Sequence, residues 1–164
     1  MGKVLEILIN PDPRLRKTAR ELDKDEVTQP ETRQLCADMF ETMLKQDGIG
    51  LAAPQIGESV RFIVVNTKDG HIFLFNPKIT KKSFLKDWDE EGCLSVPMYF
   101  GEVKRNRFIT CCYLDENGQN RKIKASGLLA RVLQHEIDHL DGILFIDKAK
   151  NLKKLDEAEI REDD

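Results

Sequence analysis

Ser126-Gly127-Leu128-Leu129-Ala130-Arg131-Val132-Leu133-Gln134-His135-Glu136-Ile137-Asp138-His139-Leu140-Asp141-Gly142 is the stretch on which the fold turns. Leu128, Leu129, Val132, His135, Glu136, His139 and Leu140 fall on or near one side of a helix, and Gly142 is placed to end it. Upstream the pattern changes. Strands are expected over 61–66, 72–75, 79–83, 107–114 and 119–124, with Asp115-Glu116-Asn117-Gly118 as a hairpin connection. An apolar strand or extended segment over 4–9 is stopped by Asn10-Pro11-Asp12-Pro13, whose prolines exclude helix. Leu35, Met39, Met43 and Leu44 recur at helical spacing and predict an amphipathic helix over 31–46, ended near Gly48. Many strands followed by one strongly apolar helix imply an α+β fold, with antiparallel sheets packed around the late helix.

The same helix carries His135-Glu136-Ile137-Asp138-His139, an H-E-x-x-H pattern in a chain with only 3 His. Two histidines one helical turn apart bring both imidazoles to one cation, and the Glu between them is placed to reach a water. A bland reading, a helix with two satisfied histidines, needs no third ligand. A metal site does. The metzincin pattern fails because Phe145 stands where a third His is required. A tail carboxylate, Glu157 or Glu159, is one alternative, in a charge-rich ending that reads as a solvated helix face. An upstream thiolate is preferred. Glu90-Glu91-Gly92-Cys93-Leu94-Ser95-Val96-Pro97 offers one in an irregular stretch, although an isolated Cys reads more readily as a small buried hydrophobe.

Gly48-Ile49-Gly50-Leu51-Ala52-Ala53-Pro54-Gln55-Ile56-Gly57 satisfies no phosphate-loop pattern. Its two early glycines permit close backbone approach, and Pro54 suggests a buried, rigid turn that presents the Gln55 amide.

Composition narrows the remaining classes. The 164 residues carry a formal net charge of -3, with 26 Lys+Arg against 29 Asp+Glu, which gives no global reason to expect nucleic acid, and no aromatic-interleaved basic patch is read along the chain to supply a local one. No apolar run approaches the roughly 20 residues of a membrane span. The cysteines form no secreted framework and the N-terminus shows no address, so a reducing cytoplasm is expected. Length favours one domain over 1–164, with 148–164 as a charged tail or short helix.

Taken in order, residues 48–55, 91–95 and 134–139 resemble the G-x-G-L-A-A-P-Q, E-G-C-L-S and Q-H-E-x-D-H motifs of the peptide deformylases, in full. Pro11-Asp12-Pro13-Arg14-Leu15-Arg16, Phe75-Asn76-Pro77 and the surroundings of Arg105 look like the family too, so the resemblance covers about 4–147. It implies a hydrolase that removes the formyl group from formyl-methionyl nascent polypeptides and releases formate.

By the same resemblance, Cys93, His135 and His139 would hold a divalent metal, and Glu136 would act as general base and acid. The Gln55 side chain and the Leu94 backbone N–H would face the developing oxyanion. Ile49, Gly50 and Gly92 would offer backbone groups to the peptide, and the methionine would enter a pocket near Leu128 and Val132. Arg105 stands open between contacting the peptide and facing solvent, Arg131 is expected to snorkel outward, and Asp138 to support the site from behind. The resemblance favours Fe2+, whereas ligand type suits Zn2+, Ni2+ or Co2+ at least as well. Transient proximity to the ribosome follows from such a substrate, with no direct nucleic-acid contact and no membrane. The rival readings are a metallopeptidase cleaving internal bonds and a non-catalytic metal-bearing module.

Overall fold

The computed structural model describes residues 1–156. The first helices are α1 (Lys24–Val27) and α2 (Pro30–Lys45). The strands β1 (Gly50–Ala52), β2 (Phe62–Thr67), β3 (Gly70–Lys82), β4 (Lys86–Cys93), β5 (Val96–Asn106), β6 (Phe108–Leu114) and β7 (Asn120–Ser126) follow, then α3 (Gly127–Leu140) and β8 (Lys150–Lys154). One sheet has the order β1-β2-β3-β6-β7 and the other β4-β5-β8, with every pairing antiparallel. The fold is α+β, as expected.

The larger sheet is filled from both sides, and β2 shows why. Its Phe62-Ile63-Val64-Val65 run is fully buried, and a strand's alternation divides it between two cores. Ile63 and Val65 join Leu74, Cys111, Ala130, Leu133, Ile137 and Leu140 against α3. Phe62 and Val64 join Phe75, Met39 and Met43 against α2. Each large aliphatic side chain so buried contributes about 1.5–3 kcal/mol, which holds α3 tightly enough to serve as a platform.

Both long helices end in the same hydrogen-bonded device. After α3, Gly142 takes the left-handed conformation at φ 71, and the Ile143 N–H donates to the Asp138 carbonyl at 2.9 Å. A Cβ at residue 142 would lie 2.4 Å from the Arg16 carbonyl oxygen, so glycine is required there twice over. At the end of α2 the left-handed residue is Asp47, at φ 52, one position before the expected Gly48.

Several expectations are corrected. The segment 4–9 forms no strand; it is held instead by single bonds such as the Leu8 N–H to the Gln55 carbonyl at 2.7 Å. The two strands expected over 72–83 are one, β3, whose register shifts between Phe75 and Lys78 where Pro77 cannot donate to the ladder. The segment around Cys93 is no irregular loop but a hairpin of β4 and β5, closed through Leu94 and Ser95 with Cys93 opposite Val96. Within the span expected as a charged tail or short helix, Lys150–Lys154 forms β8, paired with β5. Glu157 and Glu159 lie outside the described residues.

Candidate metal centre

The site forms where the β4–β5 hairpin, the segment after β1 and one face of α3 meet. Cys93, His135 and His139 each bring a ligand atom within 4.8 Å of the others, and the Cys93 Sγ lies 3.3 Å from the His139 Nε2. A tetrahedral centre with metal–sulfur near 2.3 Å and metal–nitrogen near 2.0–2.1 Å has its ligand atoms roughly 3.5 Å apart, so the donor set suits a divalent cation. The Glu136 Oε2 and the His139 Nδ1 are the buried side-chain polar atoms with no hydrogen-bond partner among the described residues. Unpaired polar atoms are costly to bury, and both sit at this cluster.

Each ligand is aimed by its neighbours. His135 Nδ1 is 2.8 Å from the Glu91 Oε1, which leaves Nε2 for the centre. Glu91 also accepts two bonds from Arg105, each of 2.9 Å, and one from Arg131 at 2.7 Å. Burial alone would raise the Glu91 carboxyl, but hydrogen bonds from His135 and Arg105 hold it well below the usual carboxylate range. Burial would lower His135, yet Cys93 and Glu91 beside it raise it to about 10 in the absence of a cation. Burial pushes His139 well down, toward the neutral imidazole that a ligand must be. Burial pushes Glu136 up to about 7. A Cβ on residue 50 would lie 2.6 Å from the Glu136 Oε1, so Gly50 is what lets that carboxylate sit against β1.

Gln55 is fixed at both ends. Its Oε1 accepts the Ala52 N–H at 2.9 Å, which turns the amide nitrogen toward the Ser95 Oγ at 3.1 Å and the Cys93 Sγ at 3.6 Å. The amide is therefore a donor beside the sulfur, 2% exposed. Glu91, Ser95 and Arg131 were not singled out as parts of the site by sequence reasoning. The signal that could have found Glu91 is its place two residues before Cys93 in the same E-G-C-L-S stretch.

A cleft of about 590 Å³ opens onto this centre, within the usual range for a ligand site. Ile49, Gly50, Gly92, Leu94, Leu128 and Val132 line it, together with Gln55, His135 and Glu136. Arg105 does not. It is 4% exposed, and its guanidinium is consumed by Glu91 and by Asp138 at 2.5 Å, so it braces the site from behind. Arg131 points inward too, donating to Glu91 and to the Val103 carbonyl at 2.9 Å, because those acceptors repay its desolvation. His71 is exposed and stacked on Phe40, away from the centre.

Fold and site together define a hydrolase of the H-E-x-x-H class in which a hairpin cysteine stands beside the two helical histidines. The family model for polypeptide deformylase matches residues 4–155, and the chain belongs to that family. The peptide deformylase of Brucella suis biovar 1 (strain 1330) is 42% identical over 157 residues, covering 92% of this chain and 87% of its own. A class I type b peptide deformylase from Acinetobacter baumannii superposes with a TM-score of 0.88 at 35% identity, over 90% of this chain and 100% of that one. The same enzyme bound to Met-Ala-Ser gives 0.86 at 34% identity, over 90% and 99%.

Proposed function

We propose that the protein removes the formyl group from the N-terminus of newly made formyl-methionyl polypeptides, as a metal-dependent amide hydrolase in the cytoplasm. The observation that carries this reading is the Cys93 sulfur 3.3 Å from the His139 Nε2, beside the buried Glu136. It supplies a third ligand without calling on a tail carboxylate. A divalent cation held by Cys93, His135 and His139 would acidify a water toward pKa 7 and polarise the formyl carbonyl. Fe2+ is proposed as the working ion, with Zn2+, Ni2+ or Co2+ able to replace it.

Glu136 takes a proton from the attacking water, a task suited to a carboxyl raised to about 7. The water oxygen bonds to the formyl carbon and the C–N bond then breaks. Glu136 returns the proton to the departing amine, so formate and a free N-terminus leave. Charge developing on the carbonyl oxygen meets the Gln55 amide and the Leu94 N–H. The peptide itself is held in extended form. β1 and β4 are outer strands of their sheets, and each places a glycine, Gly50 and Gly92, in the cleft lining, where a strand-like ligand can pair. Leu128 and Val132 flank the space for the methionine side chain.

Hydrolysis of formyl-Met-Ala-Ser, followed by formate release, tests this directly. Wild type should act on it and leave unformylated Met-Ala-Ser intact, while Glu136→Gln and Cys93→Ser should each lose activity by about 10² or more. Cleavage of internal peptide bonds that survives Cys93→Ser would favour a metallopeptidase instead.

A further inference from the structure

Residues 78–86, Lys78-Ile79-Thr80-Lys81-Lys82-Ser83-Phe84-Leu85-Lys86, hold four lysines and no acid in a chain of net charge -3. They run from the end of β3 into β4, and two hollows meet at Lys82. The first, of about 400 Å³, is lined by Arg61, Lys78, Lys82, Lys86, Lys104 and Lys148. Its acids, Asp138 and Asp141, are already neutralised, the one by Arg105 and Lys148 and the other by Arg61. Lys78, Lys82 and Lys86 make no ion pair among the described residues, and their charge is unspent.

The second hollow, of about 300 Å³, adds Lys81 and Lys124 beside Phe108 and has no acid in its lining. Phe108 is 56% exposed, and Phe84, on the segment joining the hollows, is fully exposed. A lysine face that serves only solubility gains nothing from two bare aromatic rings. A basic track with aromatic side chains along it matches what a single nucleic-acid strand requires, with cations for phosphates and flat rings for bases.

The lysines of the track lie apart from the cleft, and Phe108 stands nearer to it, in a third hollow shared with Leu128 and Arg131. Gln134, Ile137, Asp138 and Asp141 form the α3 wall of the first hollow, whereas Leu128, Arg131, Val132 and His135 face the cleft. The two sets share no residue, and Asp138, which stands nearest to the cleft set on the helix, meets the support of that site through Arg105.

Against the expectation drawn from net charge, we infer that this track over β3, β4 and α3 binds single-stranded nucleic acid, with phosphates on Lys78, Lys82 and Lys86 and a base on Phe108, while the cleft stays open. Fluorescence anisotropy of the full chain with a labelled single-stranded RNA of about 15 nucleotides, and the DNA of the same sequence, tests it. Binding in about 50 mM salt should weaken with a log–log salt slope of about -2, as three phosphate contacts require. Lys78→Glu/Lys82→Glu/Lys86→Glu should lose about tenfold or more, and Phe108→Ala about fivefold or more. Formyl-peptide hydrolysis should stay within about twofold in both. Should circular dichroism show the triple variant unfolded, the Lys→Gln version gives the same readout.

Three results would overturn the inference. One is no binding of either strand. Another is an equal loss from Lys3→Glu/Lys17→Glu/Lys45→Glu, which carries the same charge change elsewhere. The third is tighter, lysine-dependent binding to phosphatidylglycerol vesicles that neither strand displaces.

Discussion

The two sides of α3 are held by different physics. Toward the large sheet, Ala130, Leu133, Ile137 and Leu140 are buried among aliphatic neighbours. Toward the β4–β5 hairpin, Arg131, His135 and Asp138 join a buried polar knot with Glu91 and Arg105. The apolar side supplies non-directional stability and tolerates exchange of shape for shape. The polar side gains little net free energy, because its Coulomb attraction is largely offset by desolvation. What it gives is direction, since every oxygen and nitrogen has one geometry that satisfies it. The part of the molecule that stabilises the fold and the part that aims the ligands are thus separate, although they share a helix.

Substitutions on the two sides should therefore differ in kind. Arg105→Leu removes the cation that Glu91 and Asp138 share, leaving Glu91 to Arg131 and Asp138 to Lys148, and urea denaturation should show a loss of about 3–5 kcal/mol. Turnover of the protein that remains folded should fall as well, because Glu91 then orients His135 poorly. Leu133→Ala should cost about 2–5 kcal/mol through the cavity it opens, yet leave kcat of the folded fraction nearly unchanged. Equal kcat in the two variants would remove the distinction. Gln55→Ala should lower kcat by about 10²–10³, about 2.7–4 kcal/mol of transition-state stabilisation, and cost about 1–3 kcal/mol of stability as well, because the buried Ala52 N–H loses its acceptor. At the small end, Arg107→Ala breaks an ion pair with Asp87 in which both side chains are about half exposed, and should cost under about 1 kcal/mol with activity intact.

The polar knot also gives the fold a pH edge. Glu91 is held below its ordinary value of 4.5, so its stabilising share is complete above that pH and is lost as the pH falls further. Acid titration of Glu91→Gln, followed by denaturation midpoint, should show a shallower fall than wild type below about pH 4.5.

How far the sequence carried varies by region for physical reasons. α3 and its histidines were legible because helical period, a glycine stop and H-E-x-x-H all agree. The β4–β5 hairpin was missed because Lys86-Asp87-Trp88-Asp89-Glu90 is exposed along its whole length, so no apolar alternation marks it. Lysine-rich β8, exposed throughout, is a strand only because β5 is there to pair with it. Arg105 was misplaced for a related reason: residue type argues for solvent, and only the fold brings two carboxylates to its guanidinium. Ser95 gave no signal, since its role depends on where a distant glutamine amide is turned.

The convergence of one thiolate and two imidazoles is the claim from which the rest follows. X-ray absorption at the zinc edge of stoichiometrically loaded full-length protein reads that first coordination sphere directly. One sulfur near 2.3 Å with two imidazole nitrogens near 2.0–2.1 Å is expected, the sulfur vanishing in Cys93→Ser. A shell of nitrogen and oxygen alone in wild type would contradict it.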